Sequence, residues 1–254
     1  MDGNWRDLLK TCSERTGTLA AAGDTARDGE ETEAILFSLA KAVEQRDAQT
    51  GGHCERLAFI SVALGVAIGL ERADLVALYR GGYLHDVGKV GIPDSILFKP
   101  GKLSADEWKV MRSHPARGEE ICRPLQSLSP VLPIIRHHHE RWDGSGYPDG
   151  LRGDQIPLLA RILQMADIYD ALTSPRPYKP AYLPQHALDL MAEETEKGWR
   201  DPRIFKLFAR LYREIISQMT SFDANERKME SMTRSLLNLR DALAVESKEL
   251  TPVS

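Results

Sequence analysis

Long apolar runs are missing from this chain: no segment approaches the ~20 consecutive apolar residues that a membrane-spanning helix requires. That excludes a protein that spans a bilayer. The N-terminal stretch MDGNWRDLLKTCSERTG has no apolar segment of the kind a secretory signal needs. Cysteine is scarce and odd in number, with Cys12, Cys54 and Cys122 far apart. A disulfide framework or a thiolate-rich zinc site is therefore not expected, and a reducing compartment is the simpler home. Basic excess is absent too, since 33 Lys and Arg stand against 37 Asp and Glu for a formal net charge of −4. A broad nucleic-acid-binding face would show as surplus positive charge, so an anionic ligand must be held by a local cluster or by metal ions. The expectation is a soluble cytoplasmic protein that engages neither membrane nor nucleic-acid polymer.

What is present is ordinary globular material: 254 residues, 42% apolar and 28% charged. This suffices for one cored domain with helical extensions and argues against disorder as the main state. Residues 1–30 are poor in large aliphatics and read as a leader or linker. From Glu31 the pattern is helical, with Ile35, Leu36, Leu39, Ala40 and Val43 at helical spacing. Leu57, Ile60, Leu64 and Ile68 repeat that spacing up to Gly69, and a further helix is expected over Ala73 to about His85. Ser104 with Glu107 forms a capping box that opens a helix predicted to run to about Cys122. Pro130, Pro157, Pro184 and Pro202 stand at or near first helical turns, where a missing N–H costs nothing. Asp201 reads as the cap before Pro202, with Phe205, Phe208, Leu211 and Ile215 on one face behind it. Only Val90–Leu97 suggests a short strand or hairpin. The fold class is all-α, with a catalytic domain over residues 31–221 and a last helix over 222–254. In that helix Met229, Met232, Leu236, Leu239 and Leu243 form a short heptad seam, which docks on its own domain or pairs with a second chain as a homodimer.

The chemistry lies in the histidines. His85-Asp86 adjoin in YLHDVGK, and His138-His139 adjoin in RHHHERWDGSGYPDG. His53 lies in TGGHCER, His114 in RSHPARG and Asp167 in QMADIYDAL. A lone helical histidine is ordinarily a core or surface residue. Two adjacent pairs with further single His and Asp residues, most near Gly or Pro, point instead to a divalent transition metal held by imidazole and carboxylate.

These motifs resemble the HD-GYP domain, a branch of the HD phosphohydrolase superfamily. The likeness spans about residues 32–220 and includes the His-Asp pair with Gly88-Lys89, IPDSILFKPGKL, His114-Pro115, HHERWDGSGYPDGLRGDQIP and ADIYDALTSPRPYK. The resemblance implies an HD-superfamily helical bundle with N- and C-terminal helical extensions. It also implies hydrolysis of cyclic di-GMP to linear pGpG, with a second cleavage to GMP left open. The implied metal ligands are His53, His85, Asp86, His114, His138, His139 and Asp167, with Asp86 bridging two divalent ions that activate water. Iron or manganese is favoured by the resemblance; nickel, cobalt and zinc also suit such donors. Lys89 is assigned to phosphate or leaving-oxygen stabilisation. Gly144, Gly146 and Pro148 shape a loop around Tyr147, and Gly146 and Tyr147 are expected to touch substrate. Arg176 and Lys179 match family residues that hold the phosphates. Glu140 and Asp143 are expected to orient the ligand imidazoles.

Two points stay open in the sequence. Some relatives place a glutamate four residues before the first ligand histidine and hold a third metal, whereas this chain has Gln49. On a continuing helix Asp47 and Glu44 would point about 160° and 140° away from Gln49, so neither is expected to substitute, and two metals are expected. The second point is the activity: a related cyclic dinucleotide such as 3′3′-cyclic GMP-AMP, or a catalytically slow cyclic-dinucleotide-binding module, are the alternatives. Family members often follow a receiver or sensory domain. The short leader cannot form one, so a free-standing enzyme or the output module of a longer protein is expected.

Overall fold

The computed structural model describes residues 23–46, 52–175 and 180–220. Ten α-helices follow one another among them: α1 Gly23–Arg46, α2 His53–Ile68, α3 Arg72–Leu84, α4 Asp94–Leu97 and α5 Ala105–Met111, then α6 His114–Cys122, α7 Leu132–His137, α8 Leu158–Thr173, α9 Pro184–Glu196 and α10 Pro202–Thr220. Short 3₁₀ turns cover Val87–Gly91, Gln126–Leu128 and Gly153–Gln155. No strand occurs among the described residues. The segment Val90–Leu97, expected as a strand or hairpin, is instead the end of a 3₁₀ turn followed by α4. The leader to residue 22, Asp47, Gln49, Arg176, Lys179 and the heptad seam of 222–254 lie outside the described residues. Of the stretch assigned to the leader, residues 23–30 are already helical.

Helix α2 is the centre of the bundle. From Leu57 to Gly65 every residue is buried, as expected of a helix that is apolar all round. It packs chiefly on α3 and α8, and α10 lays Phe208, Leu211 and Ile215 into the same core. The stripe foreseen on α1 is split: Ala40 and Val43 are buried, whereas Ile35 and Leu39 stand exposed.

Local signals held at most helix ends. The Ser104 hydroxyl accepts the Glu107 N–H at 3.3 Å, and the Glu107 carboxylate accepts the Ser104 N–H at 2.6 Å. The helix it opens, however, does not reach Cys122 unbroken. Pro115 has no N–H for the carbonyl four residues back, at Met111, so the helix stops there and restarts at His114. The freed Met111 carbonyl accepts the His114 Nδ1–H at 2.9 Å. The break thus fixes a site histidine.

Asp201 caps α10 by accepting the Arg203 N–H at 2.9 Å, and it accepts Arg161 Nη1 of α8 at 2.6 Å. Burial pushes this carboxyl up, but the hydrogen bonds from Arg203 and Arg161 outweigh it and hold the pKa below the ordinary range. A lowered folded pKa means stability that is present at neutral pH and lost as pH falls below about 4. Asp201→Ala is expected to cost about 3 kcal/mol, read as a lower denaturation midpoint at pH 7. The difference should shrink in acid; equal midpoints at pH 7 would remove the role.

Candidate metal centre

The two His-containing pairs sit where helices end. His85 caps the C-terminus of α3, and Asp86 begins the 3₁₀ turn after it. His138 caps α7, with His139 following. On a continuous helix adjacent side chains diverge by about 100°; at a helix end the backbone turns and both can face one point. The turn carrying Asp86 lies tightly against α6. A Cβ at Gly88 would stand 2.0 Å from the His114 carbonyl oxygen and 2.5 Å from the Gly118 nitrogen. Gly88 is there for this close approach.

The seven sequence-assigned residues converge. Asp86, His114, His138 and His139 form one group of donor atoms within metal-binding reach of each other, and His53, His85 and Asp86 form a second. Asp86 belongs to both. Its Oδ1 is 3.1 Å from His114 Nε2 and 3.8 Å from His138 Nε2, while Oδ2 is 3.3 Å from His85 Nε2. Asp167 stands beside the second group, with Oδ1 3.8 Å from His53 Nε2. Lys89 Nζ lies 2.8 Å from Asp86 Oδ2.

Hydrogen bonding sets which imidazole nitrogen faces inward. Nδ1 of His85 meets the Gly82 carbonyl at 3.1 Å, that of His114 meets Met111 and that of His138 meets the Ile135 carbonyl at 2.7 Å. His53 Nδ1 meets Asp170 Oδ2 at 2.7 Å. Each acceptor requires the proton on Nδ1, so each Nε2 carries a lone pair toward the cluster. Burial drives the His138 and His139 pKa values well below the ordinary imidazole range, with neighbouring imidazoles adding to it. They are neutral donors. Burial would raise the Asp86 carboxyl, but Lys89 and His85 together with the His114 contact hold it well below the carboxylate range.

This donor set fits a metal. His53 Nε2, His85 Nε2 and Asp86 Oδ1 are buried without a hydrogen-bond partner, an unfavourable state for polar atoms unless a cation takes their lone pairs. His114 Nε2 and His138 Nε2 face each other 3.4 Å apart. With both protons on Nδ1 these are two lone pairs in opposition, and a shared cation relieves them.

The outer contacts differ from expectation. Glu140 and Asp143 orient no ligand imidazole: Glu140 is fully buried and accepts the N–H groups of Asp149, Gly150 and Leu151, and Asp143 accepts that of Ser145. Both hold the Gly/Pro-rich loop in shape. That loop folds back closely, since a Cβ at Gly146 would stand 2.2 Å from the Arg141 nitrogen. It places the Tyr147 ring on His139, with centroids 4.8 Å apart and planes at 26°. The imidazole-orienting carboxylate is Asp170, which the sequence reading missed. Its clue was spacing, because Asp170 lies three residues after Asp167 and so shares its helix face. Asp170 also receives two hydrogen bonds from Arg56. Burial would raise it, but His53 and Arg56 hold its pKa down to about 2. Asp170→Asn is expected to weaken metal retention by about 10- to 100-fold without unfolding the chain, measured by competition with a chelator. Unchanged retention would make Asp170 a packing residue only.

Glu44 is a second correction. Gly52, left-handed at φ +89°, breaks any continuing helix before His53, so an angular argument from a continuing helix does not decide the position of Glu44 relative to His53. Glu44 Oε1 accepts the His53 N–H at 2.7 Å and lines the same cavity as His53, His85, Asp86 and Lys89. Cys54, beside it, is buried and its thiol pKa is pushed far up by burial, in keeping with the small apolar role expected.

The sequence model of the HD domain family matches residues 38–204. A cyclic di-GMP phosphodiesterase response regulator, RpfG of Xanthomonas campestris pv. campestris, is 44% identical over 170 residues, which are 66% of this chain and 45% of that protein. The 3′3′-cGAMP-specific phosphodiesterase 2 of Vibrio cholerae is 39% identical over 190 residues, 74% of this chain and 36% of that one. The chain thus spans less than half the length of these curated relatives. Among solved structures, a cyclic GMP-AMP-specific phosphodiesterase of V. cholerae superposes with a TM-score of 0.59 at 20% identity, covering 82% of this chain and 53% of the other. At that identity the superposition speaks for the fold alone, an all-α HD-type bundle. No described helix is long and apolar enough to cross a membrane. With the family model matched over most of the described bundle and with the sequence motifs in place, the chain belongs to the HD-domain family, in its HD-GYP branch.

Proposed function

We propose that the chain is a metal-dependent phosphodiesterase that opens cyclic di-GMP to linear pGpG, with GMP as the alternative end product. The observation that carries this reading is Asp86, a carboxylate common to two groups of imidazoles, with its own Oδ1 and the inward nitrogens of His53 and His85 buried without hydrogen-bond partners. His53, His85, Asp86, His114, His138, His139 and Asp167 would hold two divalent cations, iron or manganese before nickel, cobalt or zinc. Bound there, such ions supply Lewis acidity toward phosphoryl oxygens and lower the pKa of water toward neutrality.

The chain's own groups do the rest. The Nδ1 contacts of His53, His85, His114 and His138 hold the rings so that no reorganisation is needed when charge develops. Lys89 brings a compact positive charge against Asp86, where it can meet a phosphate oxygen or the departing ribose oxygen. Tyr147 covers His139 and limits water on that side. Arg176 and Lys179, outside the described residues, are assigned to the phosphates by family likeness, with Gly146 and Tyr147 shaping the substrate loop.

A second substrate is favoured by a specific observation: relatives named as 3′3′-cGAMP-specific phosphodiesterases match at 34–39% identity. The test is elemental analysis of anaerobically purified protein, followed by product time courses with cyclic di-GMP and with 3′3′-cGAMP. Metal-loaded protein releasing pGpG supports the reading. Faster release from 3′3′-cGAMP moves the assignment to that substrate. Binding without release under any divalent metal makes the chain a binding module.

A further inference from the structure

The metal centre continues outward as a stacked row whose outer members, Arg112 and Trp108, have no part in the roles above. The Tyr147 ring lies on His139, the Arg112 guanidinium carbon lies 5.3 Å from the Tyr147 centroid, and the same carbon lies 5.6 Å from the Trp108 centroid. The row begins on an imidazole of the candidate centre and ends at solvent. Trp108 is 45% exposed, on a helix that buries no residue. An aromatic ring placed there contributes little to the core. The Arg112 guanidinium makes no hydrogen bond or ion pair among the described residues, in contrast with those of Arg56, Arg136, Arg161, Arg200 and Arg203, which are all tied to carboxylates. Its N–H fork is held by two π faces and left open at its edge.

We propose that Trp108 and Arg112 form a guanine subsite of the reaction centre, an inference that rests on the phosphodiesterase reading above. The base lies in the plane of the Arg112 fork, which donates to its O6 and N7 from its open edge, and the Trp108 ring flanks that plane on its solvent side. The chemistry favours guanine for a definite reason. Guanine presents two acceptors on that edge, whereas adenine presents one acceptor and an N–H₂ donor, and a guanidinium accepts nothing. The row also sets the position of the subsite. Arg112 precedes the site histidine His114 by two residues, so a base held there leaves its own phosphate near the imidazole cluster. Arg112 closes α5 in helical conformation with its N–H on the Trp108 carbonyl at 2.9 Å, so the two side chains, four residues apart, lie on one helix face.

The experiment compares metal-loaded wild type with Trp108→Ala, Arg112→Ala and Arg112→Lys, measuring metal content, Tm, steady-state constants and equilibrium binding of cyclic di-GMP and cyclic di-AMP. Trp108→Ala and Arg112→Ala are expected to raise KM or Kd for cyclic di-GMP by about 10-fold or more, with kcat moved less and with metal content and Tm at wild-type values. Arg112→Lys should keep part of the affinity but lose the preference for cyclic di-GMP over cyclic di-AMP. Wild-type turnover with unchanged constants in both alanine variants overturns the subsite and leaves the phosphodiesterase reading standing. Full affinity and full preference in Arg112→Lys reduces Arg112 to a phosphate charge and overturns the base assignment. Binding without turnover, weakened in the variants, supports the subsite while the catalytic reading fails. A wild type that neither binds nor cleaves overturns both.

Discussion

Asp86→Ala is expected to strip the metal and abolish cyclic-dinucleotide hydrolysis together. No other residue contributes to both donor groups among the described residues, because Oδ1 faces His114 and His138 while Oδ2 faces His85 and Lys89. Removing the carboxylate leaves the first group with imidazoles only, the second with Asp167 as its one anion, and no shared anion between two cations. It also removes the carboxylate that offsets the Lys89 charge beside them. Loss of several kcal/mol of charge stabilisation in the transition state corresponds to at least about a 10³-fold fall in kcat. Elemental analysis and the product time course read the two effects on one sample. Two retained metal equivalents with full turnover would remove Asp86 as the bridge.

Gly88→Ala is expected to act on the same centre through the backbone. The new methyl would stand 2.0 Å from the His114 carbonyl oxygen and 2.5 Å from the Gly118 nitrogen. Neither obstacle is a side chain that can rotate away, so the 3₁₀ turn of Val87–Gly91 and helix α6 must separate. The cost is about 3 kcal/mol, which for a domain of this size lowers Tm by about 6–12 °C. Separation also draws Asp86 from His114, so metal retention should fall even where the chain remains folded. A wild-type Tm with full metal retention would show that the contact relaxes freely.

The two substitutions differ in what the sequence disclosed about them. Asp86 was legible because chemistry narrows its role: carboxylate beside imidazole, repeated nearby as a second adjacent histidine pair. Gly88 was legible only as a helix-ending residue. Its real constraint is contact with a segment 26 and 30 positions along the chain, and no pattern near Gly88 reports on that. The same limit explains Asp170, whose partner His53 is 117 residues distant. It explains Glu44 as well, since the angular argument assumed a continuing helix, whereas the chain turns at Gly52 and Glu44 meets the His53 N–H. Glu140 and Asp143 misled for the opposite reason. Carboxylates close in sequence to ligand histidines suggested an imidazole contact, but their nearest needy groups were the unpaired backbone N–H donors of their own loop.

Composition and local pattern by themselves determined the helical class, the caps at Ser104 and Asp201 and the family motifs with their set of imidazole and carboxylate donors. Each of these depends on interactions within about one helical turn or on the identity of a side chain. Only the tertiary structure decided which nitrogen of each histidine faces inward, that Asp86 is common to two groups, and that Trp108 and Arg112 extend the row from His139 and Tyr147. Those outcomes depend on which helix ends the core brings together. Burying the apolar surface of α2 on all sides sets that arrangement, through contacts summed over the whole chain rather than any one segment.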